Sequence, residues 1–340
     1  MFTPTELRPY LPTALEKTDF TGIGERYQGK VRDVYIQDRR PVGPPLRILV
    51  ATDRQSAFDI QWCSIPLKGQ VLNQISAWWF ERIGDITPTQ VLDIPDPNVT
   101  VAKSLKMVPI EIVVRGYLTG SSKTSAWMNY NAGVRDFCGV RLPDGMVKNQ
   151  PFDKAHGGPF KSAILTPTTK GEDDELIDPP GIVAKKLATE AQWEEIADKA
   201  LKIFARGQEL AAKRGLILVD TKYEMGYDEK GTLTIADEVH TPDSSRYWIA
   251  ETYEKRFAAA QEPESLDKEF FRLWLREQGF EYGDTATWPK ITDEVRLSLS
   301  AKYIDLYERI TGQKFTLPPV GSTEKRIERN LEKYRVGVAA

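Results

Sequence analysis

The strand-like segments of this 340-residue chain all precede residue 241, whereas the chain after about residue 255 has the pattern of helices. Short runs rich in β-branched and aromatic residues predict strands at 31–36, 47–53, 110–116, 216–226 and 232–240. Ser/Thr caps, followed in most cases by a terminal glycine, predict helices at 190–214, 265–279, 292–312 and 322–335. Strands that come early and helices that come late indicate an α+β fold rather than a doubly wound sheet.

Two residue types are scarce enough to argue against several kinds of chemistry. Cys63 and Cys138 are the only cysteines, so neither a disulfide framework nor a cysteine-rich zinc site is expected, and both thiols are expected to be reduced. His156 and His240 are the only histidines, which argues against a zinc site built on several histidines and leaves little for a Ser-His-Asp hydrolase. Carboxylates, lysines and arginines are the expected catalytic groups.

Charge and hydropathy bear on the partners of the chain. A net charge of −3 shows no sign of the basic excess that nucleic-acid binders carry. No segment approaches the ~18 apolar residues that a transmembrane helix needs, and the first residues lack the basic and apolar regions of a signal peptide. We therefore expect a cytoplasmic protein, a monomer or small homo-oligomer, that binds neither nucleic acid nor membrane.

The segments 216–226 and 232–240 are joined by YDEKG, which predicts a β-hairpin. Because alternate side chains share one face of a strand, Asp220, Lys222 and Glu224 point the same way. A strand that begins apolar and then presents charges at every second position suits a binding site, although a solvated polar face is an alternative.

The register of this hairpin decides which carboxylates meet. With the turn centred on residues 229–230, Lys222 lies opposite Asp237, and Glu224 lies diagonal to Asp237 on the same face. Two such carboxylates suit Mg²⁺, which takes one or two carboxylates together with substrate phosphates. A shift of one residue would bring Glu238 there instead, and an ion-pair ladder would also explain these charges.

Two turns combine an arginine with hydroxyl groups. The segment HTPDSSRYW places Asp243, Ser245 and Arg246 on a turn after the hairpin. Guanidinium, hydroxyl and turn amide groups together suit a phosphate. Arg115 ends the third predicted strand, and Ser121 follows it in a Gly/Ser turn, which makes a second candidate anion site. A structural salt bridge explains Arg115 equally well.

Three segments near the N-terminus carry further candidates. In YQGKVRDVY, Lys30 and Arg32 share one face of a strand and could lie over nucleotide phosphates, although the segment matches no phosphate-loop motif and could be an ordinary edge strand. Ser56 and Asp59 follow a buried strand, where functional polar groups are common, and turn formation is the alternative. Lys68 leads into the next helix.

Seven segments, taken in order, resemble the successive motifs of the SAICAR synthetase family. They are GKVRDVY, ATDRQSAFD, IPLKGQVLNQ, VPIEIVVRGYLTGS, LTPTTKGEDDE, LVDTKYEMG and ADEVHTPDSSRYW. The last two are the most specific, and the tail beyond about residue 255 resembles the longer, yeast-type members. The resemblance implies a two-lobed α+β fold with antiparallel sheets and a helical C-terminus. Its expected parts are a kinase-like or ATP-grasp-like ATP-binding lobe (1–105), a larger lobe with the metal and substrate site (106–255), and C-terminal helices packed on the larger lobe (256–340).

The resemblance also implies a reaction. An ATP-dependent carbon–nitrogen ligase of this kind joins L-aspartate to the carboxylate of CAIR, 5-amino-1-(5-phosphoribosyl)imidazole-4-carboxylate. The products are SAICAR, ADP and phosphate, the step belongs to purine biosynthesis, and the implied cofactors are ATP and Mg²⁺. Activation of the carboxylate as an acyl phosphate needs charge neutralisation and positioning rather than histidine.

Matched residue by residue, the resemblance implies two groups of site residues. The nucleotide side would comprise Lys30, Arg32, Met107, Glu111, Lys222, Glu224 and Asp237, with Mg²⁺ on Glu224 and Asp237. The substrate side would comprise Ser56, Asp59, Lys68, Arg115, Ser121, Asp243, Ser245 and Arg246. Lys30, Asp220 and Lys222 are the expected catalytic residues. The loop at 166–170 would close over the site, and GEDDE at 171–175 departs from the yeast-type pattern.

Two other functions would use a similar set of residues. A small-molecule kinase would bind the same ATP and Mg²⁺ but would phosphorylate a hydroxyl group and release no free phosphate. The chain has no kinase-like H-R-D or D-F-G segment, which argues against a protein kinase. A nucleotide-binding regulator without catalysis would keep its role after loss of Glu224 or Asp237.

Overall fold

The computed structural model describes residues 2–40, 43–58, 60–171, 174–266, 269–281 and 283–336. The strands are β1 (Glu25–Gln28), β2 (Arg32–Gln37), β3 (Leu46–Ala51), β4 (Arg54–Ala57), β5 (Ile60–Ser64), β6 (Val91–Asp96), β7 (Val99–Lys103), β8 (Lys106–Met107), β9 (Ile110–Arg115), β10 (Asp136–Phe137), β11 (Val140–Arg141), β12 (Ile164–Leu165), β13 (Thr168–Thr169), β14 (Leu216–Tyr227), β15 (Leu233–Ala236) and β16 (Ser245–Ile249). The helices are α1 (Pro4–Leu7), α2 (Lys68–Ile83), α3 (Ala126–Asn131), α4 (Pro179–Ala184), α5 (Glu190–Ala212), α6 (Ala250–Ala258), α7 (Glu269–Glu277), α8 (Asp293–Thr311) and α9 (Thr323–Asn330).

Two larger antiparallel sheets organise the chain. The first has five strands in the order β1-β2-β3-β7-β6. The second has the order β12-β9-β14-β15, with β13 also paired to β9 and with β8 and β16 also paired to β14. Strands β4 and β5 form a separate two-stranded antiparallel hairpin. Strands in antiparallel sheets followed by a helical C-terminus confirm the predicted α+β class.

Most helix boundaries follow the capping signals in the sequence. Thr189 and Gln192 form a capping box at the start of α5. Thr292 caps α8, and Gly312 ends it in the left-handed conformation that glycine adopts most easily. The predicted helix from Ser265 is wrong at its start: Ser265 pairs with Trp248 in an isolated β-bridge, and α7 begins only at Glu269.

The C-terminal helices divide between two surfaces. Helix α8 packs on α2, and its apolar residues belong to the core beneath the larger sheet. Helix α9 packs elsewhere: Ile327 and Leu331 are fully buried in the same cluster as Ile48 and Val50 of β3. The segment was expected to pack on residues 106–255, whereas the main helix and strand contacts of α8 (with α1 and α2) and of α9 (with β6) lie within residues 1–105. The proposed lobe boundaries themselves stay a prediction.

The predicted register of the β14–β15 hairpin is wrong by one residue. Glu224 pairs with Ala236, so continuing this register places Glu238 opposite Lys222, which is the alternative that the sequence left open. Strand β15 ends at Ala236, and Asp237 then adopts a left-handed backbone conformation with φ of 60°. This change of direction returns the Asp237 side chain to the charged face of the hairpin.

Two further expectations concern the whole molecule. Among the described residues, we find no helix that combines the length and the apolar character needed to cross a bilayer. Cys63 and Cys138 are both free thiols, as expected, and burial raises the pKa of each to about 11. Neither cysteine therefore has the thiolate character of a nucleophile at neutral pH.

Helix α5 lies closely against β14 at Gly207. A Cβ atom at this position would lie 2.3 Å from the ring of His240 and 2.6 Å from the side chain of Leu218. His240 is fully buried, its Nε2 atom is hydrogen-bonded to the hydroxyl of Tyr223, and burial lowers its pKa to about 3. His240 is thus a neutral core residue. It anchors the segment after Asp237 in the core.

We expect Gly207→Ala to destabilise the protein by about 1–3 kcal/mol through overpacking against His240. Helix propensity alone predicts the opposite sign, since alanine is favoured over glycine by about 1 kcal/mol in a helix. Gly84→Ala is the matched control, because Gly84 has helical angles and a Cβ atom there would lie 3.7 Å from the main-chain oxygen of Phe80, an ordinary van der Waals distance. Urea denaturation gives the free energy of unfolding of each variant. Equal values for the two variants would contradict overpacking at Gly207.

Candidate active site

Strand β14 is the central strand on which the candidate site is built. It lies between β9 and β16, so that Asp220 is opposite Arg115 on one neighbour and Arg246 on the other. Two and four residues further along β14 come Lys222 and Glu224. Because these three positions alternate along one strand, their side chains share a face, as the sequence predicts.

Arg32 connects β2 to the end of the β14–β15 hairpin. Its guanidinium forms an ion pair with Asp237 and a second one, of 2.8 Å, with Glu238. Burial acts to lower the pKa of Arg32, but the two carboxylates outweigh burial and raise this pKa above its ordinary value. Burial acts to raise the pKa of Asp237, yet Arg32 and Lys222 hold it below its ordinary value. For Glu238, burial prevails and raises the pKa.

Lys222 lies among carboxylates that come from several elements. Its Nζ atom donates hydrogen bonds to Glu111 of β9 at 2.7 Å and to Glu224 at 3.0 Å. Lys170, which follows β13, forms an ion pair with the other oxygen of Glu224. Burial acts to lower the pKa of Lys222, but Glu224, Asp237 and Glu111 raise it above its ordinary value. Lys222 is therefore held in its cationic form.

Glu224 and Asp237 are the two carboxylates that the sequence assigns to Mg²⁺. Both raise the pKa of Lys222, which places them near the same ammonium group. In the part of the chain that the structure describes, no group of three or more His, Cys, Asp or Glu side chains is arranged to hold a metal ion. Two carboxylates fit Mg²⁺, because this ion commonly completes its coordination with water and substrate phosphates.

Two arginines converge on Asp220. Its Oδ2 atom lies 2.5 Å from a nitrogen of Arg246 and 3.6 Å from a nitrogen of Arg115. Arg115 is buried and also donates a hydrogen bond of 2.7 Å to the hydroxyl of Thr166. Burial lowers the pKa of Arg115 to about 10, so that this arginine still carries its charge at neutral pH. Two guanidinium groups beside one carboxylate leave a net positive site for an anion.

The turn that contains Ser121 lies beside this arginine pair. Gly120 has φ of 109°, and a Cβ atom there would lie 3.3 Å from the guanidinium of Arg246. Ser245, at the start of β16, is buried and shares a hydrogen bond of 2.8 Å with Thr221. The two turns that the sequence singled out as anion sites therefore meet at one place.

Lys68 is the first residue of α2, and its side chain is fully buried. Its Nζ atom donates to Asp243 Oδ2 at 2.8 Å and to the main-chain carbonyl of Arg54 at 3.2 Å. Asp243, which the sequence assigned to substrate binding, is thus paired with Lys68. Ser56 lies on β4 and is buried, whereas Asp59 lies outside the described residues.

Two other predicted residues lie at the exposed edge of the site. Lys30 is exposed and precedes β2, and its main-chain carbonyl accepts a hydrogen bond of 3.1 Å from Arg54. Met107 is 41% exposed and pairs with Gly226 at the far end of β14. A polarisable thioether at an exposed position suits contact with a flat, weakly polar ring.

Lys170 and Glu238 belong to the charged cluster, although neither was among the expected site residues: the sequence offered Glu238 only as the alternative register and Lys170 only as part of the loop at 166–170. Glu238 enters through the one-residue shift in register. Lys170 enters because β13 pairs with β9, which brings the loop against Glu224. The signal that could have found Lys170 is the segment LTPTTKG, in which a cation directly follows a short run of strand-forming threonines.

Comparison with known proteins identifies relatives of this chain in sequence and in fold. A family model described as SAICAR synthetase matches residues 25–288. The phosphoribosylaminoimidazole-succinocarboxamide synthase of Legionella pneumophila (strain Paris) is 45% identical over 326 residues, which span 95% of this chain and 99% of that protein. The structure of the Saccharomyces cerevisiae SAICAR synthase complexed with SAICAR superposes with a TM-score of 0.73 and 30% identity, covering 89% of this chain and all of the other.

A second solved structure, a SAICAR synthetase in complex with ADP, superposes with a TM-score of 0.61 and 25% identity over 86% of this chain and all of that one. The family match covers more than half of this chain, and the Legionella relative corresponds to nearly its whole length. This chain belongs to the SAICAR synthetase family.

Proposed function

We propose that this chain is the ATP-dependent ligase that joins L-aspartate to the carboxylate of CAIR, giving SAICAR, ADP and phosphate in purine biosynthesis. The observation that carries the proposal is the face of β14, where two sites of different charge adjoin. Around Lys222 and Glu224, cations alternate with carboxylates, so that positive and negative charges are mixed. Around Asp220, two arginines face a single carboxylate, so that positive charge prevails. The first arrangement suits a nucleotide with its metal, and the second suits the phosphate of a ribonucleotide.

The nucleotide side offers cations for the phosphates of ATP. Arg32, Lys170 and Lys222 are paired with carboxylates in this structure, and phosphate oxygens would take the place of those partners. Glu224 and Asp237 would then be available to hold Mg²⁺. Bound there with the nucleotide, Mg²⁺ would neutralise charge that develops on the transferring phosphoryl group. Lys30 would reach the phosphates from the exposed edge, and Met107 with Glu111 would border the adenine.

The substrate side would receive CAIR. Arg115, Arg246 and Ser121 would bind its 5′-phosphate, with Ser245 behind them. Lys68 and Ser56 would face the imidazole ring, and the family resemblance assigns Asp59 to the same side. The loop at 166–170 would close over the two ligands and exclude water.

The chemistry needs two displacements. A carboxylate oxygen of CAIR attacks the γ-phosphorus of ATP, the bond to the bridging oxygen breaks, and ADP leaves. The amine of L-aspartate, after its ammonium form loses a proton to water, attacks the carbonyl carbon of the resulting acyl phosphate. The C–O bond to phosphate breaks, phosphate leaves, and the new amide nitrogen loses a second proton to water. Both steps develop negative charge on phosphate oxygens, which Lys222 and Arg32 would stabilise. Asp220 would orient the two arginines that hold the substrate.

Two broader proposals accompany the activity. The protein works in the cytoplasm, which agrees with two free thiols and no disulfide among its cysteines. It acts on small molecules as a monomer or small homo-oligomer.

The activity is tested by measuring phosphate release from ATP and Mg²⁺, with CAIR and L-aspartate added singly and together. We expect release only when both are present, with one SAICAR formed per phosphate. ADP formation with a phosphorylated hydroxyl product would instead indicate a kinase, and absence of any turnover would overturn the proposed ligase.

Replacing either proposed metal ligand should abolish most of the turnover. We expect Glu224→Ala and Asp237→Ala each to lower kcat by about 100-fold or more, since metal charge stabilisation is worth several kcal/mol. Glu229→Ala is the control, because Glu229 lies exposed in the turn of the same hairpin. The readout is kcat against Mg²⁺ concentration; near-normal turnover in either site variant would contradict the metal assignment.

Arg246 should affect the binding of CAIR but not the binding of ATP. We expect Arg246→Gln to raise KM for CAIR by about 10- to 100-fold, the usual effect of losing hydrogen bonds to a charged group, while KM for ATP changes less than about twofold. Arg329→Gln is the control, since Arg329 is exposed on α9. Steady-state kinetics with each substrate varied decide the question. An equal rise in both KM values would place Arg246 outside the CAIR phosphate site.

A further inference from the structure

Helix α8 belongs to the C-terminal segment, which the proposed mechanism leaves without a role. Arg296, Ser300 and Tyr303 follow one another at spacings of four and three residues along this helix. Side chains at such spacings lie on one face of a helix. All three make hydrogen bonds to the part of the chain that carries Lys68 and Asp243.

The first two residues of this face hold the chain just before Lys68. Arg296 donates to the main-chain carbonyl of Ser64 at 2.7 Å and to its hydroxyl at 3.0 Å. The buried hydroxyl of Ser300 donates to the main-chain carbonyl of Pro66 at 2.7 Å. Helix α8 therefore fixes the path by which the chain enters α2, and Lys68 is the first residue of that helix.

Tyr303 reaches the charged pair itself. Its hydroxyl lies 3.0 Å from Asp243 Oδ1 and 3.1 Å from the side-chain oxygen of Gln55. A phenol has a single hydrogen to donate, and a charged acceptor makes the stronger bond, so Asp243 is the favoured partner. The ammonium of Lys68 lies 5.5 Å from the centre of the Tyr303 ring, within the range of a cation–π contact.

The burial of these groups makes their mutual orientation important. The side chain of Lys68 is fully buried and that of Asp243 is 5% exposed. A buried charge is tolerated only when it is paired and hydrogen-bonded. The two oxygens of Asp243 are divided between its neighbours: Oδ2 faces Lys68, and Oδ1 faces Tyr303. Tyr303 therefore sets the rotation of the carboxylate, and through it the position of the Lys68 ammonium.

We propose that Tyr303 is a positioning residue for CAIR, acting through Asp243 and Lys68 from the C-terminal helix α8. The proposal rests on the proposed function, because Lys68 and the turn of residues 240–246 are the groups that would meet this substrate. Tyr303 touches no substrate in this arrangement; it holds the carboxylate that orients the lysine. The C-terminal segment thereby becomes part of the substrate site.

The test is Tyr303→Phe with Tyr307→Phe as its matched control. Tyr307 is buried one turn later on α8, and its hydroxyl donates to Gln313 at 3.1 Å, away from Lys68. We expect Tyr303→Phe to raise KM for CAIR about tenfold, the effect of one hydrogen bond to a charged group, with KM for ATP within about twofold of wild type. A purely structural role would lower the active fraction, and hence kcat, without changing either KM. Tyr307→Phe should change neither KM.

Three outcomes separate this inference from the function on which it rests. An active wild type whose KM for CAIR is unchanged in Tyr303→Phe, or whose KM values for CAIR and ATP rise equally, would overturn the inference alone. A wild type that forms no SAICAR would overturn both the function and the inference. If Tyr303→Phe folds poorly, Ser300→Ala replaces it in the test. A KM for CAIR raised at least about twofold in Ser300→Ala would support the positioning role of this helix face, and an unchanged KM for CAIR would overturn it.

Discussion

The ion pair between Arg32 and Asp237 joins the five-stranded sheet to the end of the β14–β15 hairpin, across 205 positions of sequence. The pair is partly buried, so removing one member leaves the other charge incompletely solvated and without its partner. Asp237 can reach Arg32 because its backbone turns out of the strand at φ of 60°. This contact adds to the backbone hydrogen bond between Gln90 and Ile235 in holding the hairpin end against the five-stranded sheet, and the candidate nucleotide site lies at that place.

Charge balance explains how the same residues can serve a structure with and without ligands. In this structure Arg32, Lys170 and Lys222 are neutralised by Asp237, Glu238, Glu224 and Glu111. In the proposed function, a nucleotide would bring negative charge to the cations and Mg²⁺ would bring positive charge to the carboxylates. Such an exchange would keep each of these charges compensated, which avoids the penalty of an isolated, poorly solvated charge. A site built only of cations would lack this property.

Local patterns in the sequence predicted the strands β2, β3, β9, β14 and β15 and the long helices α5 and α8. The alternation along β14 predicted which charges share a face. The predicted hairpin register was wrong because it depends on turn geometry. Asp228 accepts hydrogen bonds from the backbone of Lys230 and Thr232, and the turn is centred on Lys230 rather than between Glu229 and Lys230, which shifts the strand pairing by one residue. Nothing local indicates that Asp237 adopts a left-handed conformation. Local patterns could not predict that Arg246, Arg115 and Gly120 lie close together, because their proximity depends on the pairing of β9, β14 and β16.

The C-terminal helices show a different limit of sequence reasoning. Periodicity and caps predicted α8 almost to the residue, and its apolar positions explained its packing. The polar residues Arg296, Ser300 and Tyr303 occupy helical spacing as well, but a helix does not encode in its own pattern what lies opposite a given face. Only the fold reveals that this face meets the loop before Lys68 and the carboxylate of Asp243. Polar residues that are buried at regular helical spacing must have partners on another element, because burying them without partners would cost stability. Such residues are therefore good candidates for contacts between a helix and a site.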